Sequence, residues 1–186
     1  MKIIFVRHGE SKHNAGLTEE KDVGLTGKGK IQAKHLGMRL KKQKISAIYT
    51  SNLLRAKETG EIISKIINVP VKGHFEELNE YSGKHLRSRL RILFNWRLKR
   101  LKKFLKKISK ERGKNKTILI VVHGVTNRII IGTFLQIPLR QMLRFRQHNA
   151  GLNVISWNKK YNNWEIDSFN DIEHLPGSIR EAHKKL

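Results

Sequence analysis

The chain has 186 residues, the size of one domain, and two domains sharing it would each be poorly cored. Its 39 Lys+Arg against 15 Asp+Glu leave a formal net charge of +24, which points to anionic partners: phosphorylated substrates, nucleic acid or an acidic membrane face. The absence of Cys excludes disulfide scaffolds, thiol catalysis and Cys-based zinc sites, and no apolar run approaches the ~18 residues that a spanning helix needs.

Lys2 to Val6 is a short β-branched and aromatic run that reads as a buried strand. Arg7 and His8 cut it off, so it is not a signal peptide, and the expectation is a soluble, cytoplasmic protein. Thr26-Gly27 can cap a helix from Lys28 to Lys42, with Ile31, Ala33, Leu36 and Leu40 available for its inner side. Ile45 to Thr50 reads as a second strand, and Ser51 as the cap of a helix from Asn52 to Ile67, where Ala56, Ile63 and Ile67 fall near helical spacing. Val69-Pro70-Val71 suggests a short edge strand. Thr117 to Val122 is apolar without alternation, as a parallel strand covered on both faces should be. A helix from Thr126 to Leu135 follows, then two closing strands, Leu152 to Trp157 and Trp164 to Phe169, around the turn Tyr161-Asn162-Asn163. Strand and helix alternate, which argues an α/β fold with a largely parallel sheet in a single domain over residues 1–186.

Lys84 to Lys116 stands apart. It holds 15 Lys+Arg and one acid, Glu111, and so carries +14 of the +24. Leu86, Leu90, Phe94, Leu98, Leu101, Leu105 and Ile108 recur every three or four residues, one apolar stripe on an otherwise basic helix. The reading is a helical insert packed on the domain through that stripe. Nucleic acid or an anionic membrane is a possible partner for its cations but is not favoured.

In parallel α/β sheets, ligands sit outside the carboxyl ends of the strands. The strand Lys2–Val6 delivers Arg7-His8-Gly9, and Thr117–Val122 delivers His123-Gly124. If the two strands are neighbours, two imidazoles meet at one site, each followed by a Gly that lets a ligand approach the backbone. Arg55, on the first turns of the intervening helix, lies at the same end. Two Arg and two His converging suit a dianionic phosphoryl group. A metal site is the other reading of two His, but no third ligand stands at credible spacing, so the expectation is no metal and no cofactor.

Arg7-His8-Gly9-Glu10-Ser11 with Asn14 resembles the opening signature of the histidine phosphatase superfamily, the phosphoglycerate-mutase-like family. The resemblance continues through Gly24-Leu25-Thr26-Gly27-Lys28-Gly29, Tyr49 to Thr59, Leu78-Asn79-Glu80 and Val122-His123-Gly124. Asn170-Asp171 and His174-Leu175 are similar to the tail of its smaller phosphatases. The sequence departs from the family after Glu80: Gly83 comes one residue early, and Lys84-His85-Leu86-Arg87 replaces a stretch that carries a second Gly.

The resemblance implies a three-layer α/β/α sandwich and a phosphohistidine mechanism. His8 would be the nucleophile. Arg7, Arg55 and His123 would hold the phosphoryl oxygens, with Asn14 and Gly124 completing the substrate site. Glu80, rather than the nearby Glu76 or Glu77, would protonate the leaving oxygen. The nucleophile must be a neutral imidazole, so its other N–H needs an acceptor, and the expected one is backbone near Gly9. The family holds both phosphatases and mutases. Tyr81 stands where the mutase branch has Arg, and the chain is short. A phosphomonoester hydrolase acting on a small phosphorylated metabolite is therefore the first expectation and a mutase the alternative.

Overall fold

The computed structural model describes residues 1–81, 91–110 and 114–180. Its elements in chain order are β1 (Lys2–Arg7), α1 (Gly27–Leu40), β2 (Ile45–Ser51), α2 (Leu54–Ile67), β3 (Val71–Phe75), α3 (Arg91–Ser109), β4 (Thr117–Val122), α4 (Gly124–Phe134), the short α5 (Leu139–Met142), β5 (Leu152–Asn158) and β6 (Asn163–Asp171). One sheet of six strands runs β3-β2-β4-β1-β5-β6. The pairs β3–β2, β2–β4 and β4–β1 are parallel, and β5 is antiparallel to both of its neighbours. The fold is the expected α/β sandwich with a mostly parallel sheet.

The pleat of β1 shows why its stretch from Ile3 to Val6 has no polar residue. Ile3 and Phe5 enter one core with Ile118, Ile120 and Val122 of β4. Ile4 and Val6 enter the other with Leu119 and Val121. Each such side chain contributes ~1.5–3 kcal/mol by leaving water. The second core is closed by Leu36 and Leu40 of α1 and Ala56 and Ile63 of α2, the first by α3 and by Ile129 and Ile130 of α4.

Thr26 caps α1, accepting from the Gly29 N–H at 3.0 Å, as its position predicts. Ile31 does not join the inner side. It is 44% exposed, because it lies about 140° around the helix from Leu36 at 3.6 residues per turn. The edge strand begins where Val69-Pro70-Val71 ends, since Pro70 has no N–H to pair, and it runs on to Phe75. Asn162, in the β5–β6 turn, takes φ 52°, a conformation its side chain tolerates.

The basic segment forms α3 over residues 91–109, and its stripe faces the sheet. Phe94, Leu101 and Leu105 are buried in the first core, and Leu98 and Ile108 pack against it. The outward side carries Lys99, Lys103, Lys106 and Lys107, exposed to solvent. Leu86 and Leu90 of the stripe, residues 83–87 and Glu111 lie outside the described residues. No described helix is long and apolar enough to cross a membrane.

Candidate active site

Strand register builds the site. In the parallel β1–β4 pair Arg7 stands opposite Val122, so the next residues, His8 and His123, leave the sheet side by side. The His8 N–H donates to the Val122 carbonyl at 3.0 Å. The two rings lie edge to face with centroids 5.1 Å apart, and both are almost fully buried.

Hydrogen bonds settle the His8 tautomer. Nδ1 is 2.6 Å from the Gly9 carbonyl oxygen, which can only accept, so Nδ1 carries the proton. Nε2 therefore presents a lone pair, met at 3.0 Å by the Nε–H of Arg55. Burial first, then the repulsion that His123 would exert if protonated and the charges of Arg7 and Arg55, pushes the His8 pKa well below the usual range, so the ring is neutral. His123 is likewise held neutral by burial and by Arg55 and Arg7.

Around this pair, the sequence motifs acquire separate physical jobs. Arg55, the second residue of α2, also donates to the Lys21 carbonyl at 2.7 Å. Glu58 accepts from the Leu25 N–H at 2.7 Å, and Thr59 accepts from the Gly9 N–H at 3.1 Å. One helical turn thus binds the His8 ring and the loop beneath it. Gly9 is not there for a ligand, as its place after His8 suggested. A Cβ on it would collide with the backbone of Gly29, and one on Gly29 with the Glu10 carbonyl. The two glycines let the first turn of α1 press on the loop that holds His8. At Gly124 an added Cβ would meet the Arg7 guanidinium at an ordinary 3.6 Å.

Glu80 arrives from the opposite side. Its Oε1 accepts from the N–H groups of Val125 and Thr126 at 3.1 and 3.3 Å, so the carboxylate sits on the N-terminus of α4. That helix starts two residues earlier than expected because this carboxylate, not a local side chain, satisfies its first donors. Burial raises the Glu80 pKa, against the pull of Arg7, Arg55 and the backbone N–H groups of Thr126 and Tyr81. Glu76 and Glu77 turn instead toward Arg100 of α3, at 3.7 and 2.8 Å. Among the described residues, no group of three or more His, Asp or Glu side chains gathers as a metal site.

A sequence model of the histidine phosphatase superfamily (branch 1) matches residues 3–89 and 96–172. The chain belongs to the histidine phosphatase superfamily. Among its relatives is a Photorhabdus laumondii protein bearing a phosphoglycerate mutase name, 27% identical over 94% of this chain and 95% of that one. A Hydrogenobacter thermophilus protein with a phosphoserine phosphatase name is 29% identical over 83% of this chain and 88% of its own. The solved structure of Bacillus stearothermophilus YhfR superposes with a TM-score of 0.75 at 25% identity, covering 93% of this chain and 98% of the other. As a histidine phosphatase superfamily protein, the chain is an enzyme of phosphatase or mutase type.

Several residues of this superfamily member escaped the sequence reading. Ser51 is no helix cap: α2 begins behind Leu53, and the Ser51 hydroxyl turns inward. It donates to Asn79 Oδ1 at 2.8 Å and accepts from His123 Nε2 at 2.8 Å and from the Leu53 N–H. His123 Nδ1 is left buried and without a partner among the described residues. The loop 147–151 is the other omission. Arg7 Nη1 donates to the Gln147 carbonyl at 2.6 Å, and the buried Asn149 amide donates to the His8 carbonyl and to Asn14 Oδ1 at 3.1 and 3.2 Å. Gln147 is itself locked by Asn127 and Asn153. No local signal marks these amides; only their position in space does.

Proposed function

We propose that the protein is a phosphomonoester hydrolase that works through a phosphohistidine on His8, without a metal, on a small phosphorylated metabolite. The observation carrying this reading is the His8 ring: buried, neutral, its Nδ1–H spent on Gly9 and its Nε2 lone pair turned to Arg55. A neutral imidazole nitrogen is a competent nucleophile, and converging cations supply what a loose phosphoryl transition state needs.

A substrate phosphoryl group enters between His8 and the Arg7 and Arg55 guanidiniums, with Asn14 and Gly124 at its rim. Its two negative charges offset the burial and the cationic repulsion that keep His123 neutral, so that ring can take up a proton from solvent at Nδ1 and donate a hydrogen bond from it to a phosphoryl oxygen. The Arg55 Nε–H passes from His8 Nε2 to a phosphoryl oxygen, and the freed lone pair bonds to phosphorus as the ester P–O bond breaks. Glu80, already shifted toward its protonated form by burial and shifted further by the dianion, gives its proton to the departing alkoxide. In the second half, Glu80 takes a proton from water while the oxygen attacks phosphorus and the P–N bond breaks, restoring His8.

Water is favoured as the acceptor over a second hydroxyl of the substrate. Tyr81, which follows the acid, is buried against Phe94 and under Arg97, so it offers no grip to a retained intermediate. The cleft beside Glu80 is open to solvent. The test is a rapid quench with a chelator present. An acid-labile, alkali-stable phosphoryl group on His8, lost in His8→Ala, with release of inorganic phosphate, is the expected result. Turnover that disappears with chelator and returns with zinc would overturn the reading.

A further inference from the structure

The inward stripe accounts for one side of α3 only. At 3.6 residues per turn, Ile92, Trp96, Lys99, Lys103, Lys106 and Lys107 fall within about 100° of arc on the opposite side, along about 22 Å of helix. Ile92 is 83% exposed and Trp96 52%, with Leu93 beside them at 45%. The four lysines are exposed as well. The outward side thus presents apolar side chains over its first turns and cations beyond them.

Every charged residue from Arg91 to Ser109 is Arg or Lys. The carboxylates nearest the helix do not answer the lysines. Glu76 and Glu77 take Arg100. Arg97 turns back to the Asn79 and Glu80 carbonyls and to the Tyr81 ring. With Trp96, these two arginines wall the cleft beside Glu80. Among the described residues, no carboxylate pairs with Lys99, Lys103, Lys106 or Lys107. Four like charges on successive turns repel one another, and no ion pair within the described fold offsets that repulsion.

Whatever covers this face must be anionic and must also accept Ile92 and Trp96. A second copy of the chain brings the same cations and is repelled. A nucleic-acid backbone would satisfy the lysines. It would also set phosphates against Ile92, the most exposed large apolar side chain among the described residues. The arginines, whose planar fork suits phosphate best, are turned inward. An anionic bilayer surface meets both demands. Ile and Trp side chains enter the headgroup boundary, and lysines lay their apolar stems along it while the ammonium groups reach lipid phosphates. No described helix is long and apolar enough to span, so such a contact lies in the plane of the interface.

We propose that the outward face of α3 docks the protein on an anionic membrane surface, with Ile92 and Trp96 in the headgroup boundary and Lys99, Lys103, Lys106 and Lys107 over the lipid phosphates. The proposal concerns attachment and is independent of the reaction at His8.

The test is flotation of the full chain with vesicles of phosphatidylcholine alone or mixed with phosphatidylglycerol, at physiological salt, beside a binding assay on duplex DNA. The expected result is binding to the mixed vesicles and not to phosphatidylcholine. Replacing Lys99, Lys103, Lys106 and Lys107 together by Gln should weaken that binding by roughly 10²-fold or more. Ile92→Ser should weaken it by about tenfold and leave the thermal midpoint unchanged, because the side chain belongs to neither core. Brominated acyl chains should quench the fluorescence of the parent more than that of Trp96→Phe. Failure to bind the mixed vesicles overturns the proposal, as does binding that survives the lysine replacement. Binding that Ile92→Ser leaves unchanged also overturns it, since that marks ionic adhesion alone. Tighter binding to the duplex than to the mixed vesicles, insensitive to Ile92→Ser, assigns the face to nucleic acid instead.

Discussion

The phosphoryl pocket and the α3 cleft meet at Glu80 but are built on opposite principles. In the pocket, His8, Arg55, His123 and Ser51 are all at most 8% exposed. Their bonds run largely to backbone and to small buried polar groups, which cannot re-orient. In the cleft, Trp96 is half exposed and Arg100 is held by flexible, partly solvated carboxylates. Chemistry that needs a fixed nucleophile and fixed cations is placed where the strands end. The cleft side chains stand on a helix that can change them without disturbing the sheet.

The sharpest way to break this contrast is at its centre. His8→Ala should lower turnover by roughly 10⁴-fold or more on every substrate, since it removes the covalent route. A residual rate within tenfold of the parent would show that another group attacks.

Glu80→Gln should separate the two steps. Alkyl phosphates, which leave as basic alkoxides, should slow by roughly 10²-fold, while phosphoenzyme formation from acetyl phosphate, whose leaving group barely needs a proton, should be spared. Equal losses on both donors, measured in stopped turnover, would assign Glu80 to capping α4 rather than to proton transfer.

Asn149→Ala probes the loop that fixes the pocket from behind. It leaves the His8 carbonyl with one donor fewer and frees Asn14, so kcat should drop about tenfold with a smaller change in KM. Unfolding free energy should fall by ~1–3 kcal/mol for the broken buried bonds. An unchanged kcat with lowered stability would mean the amide supports the fold alone.

Acid should act on the pocket and not on the helix. His8 and His123 are neutral in the fold because their pKa values are pushed down, and burial brings His174 to about 4. Below the ordinary histidine value of ~6.5 the unfolded chain takes up protons that the folded chain refuses. Stability present at neutral pH is therefore lost as pH falls, with the His174 share lost between about 6.5 and its folded value of about 4. Urea midpoints at ~pH 7 and ~pH 5 should show the loss, and His174→Gln should remove only the His174 share of it.

The smallest effect is expected on the outward side of α3. Replacing Lys99, Lys103, Lys106 and Lys107 together by Gln should change stability by about 0.5 kcal/mol or less and leave kcat/KM within twofold at physiological salt. A tenfold loss that added salt abolishes in the parent would show that these cations steer the substrate.

Much of this was legible in the residues themselves. Apolar continuity located β1 and β4 because a parallel strand buried on both faces tolerates nothing else, and the three-to-four spacing of Phe94, Leu98, Leu101 and Leu105 located the inner side of α3. The His-Gly pairs and the Arg after β2 marked the pocket because strand ends are where an α/β sheet gathers its ligands. The tertiary structure decided the rest. Ser51 turned from a helix cap into the link between Asn79 and His123, because the strand it ends lies beside β4. Gly9 served the approach of Gly29 instead of a ligand, a contact between backbones twenty residues apart. Glu80 came to the site through the first turn of α4, whereas Glu76 and Glu77 were drawn off by Arg100. Composition and spacing record which residues must be buried or must bend the chain. Which polar groups meet depends on sheet order and helix phase, and those are set only when the whole core packs.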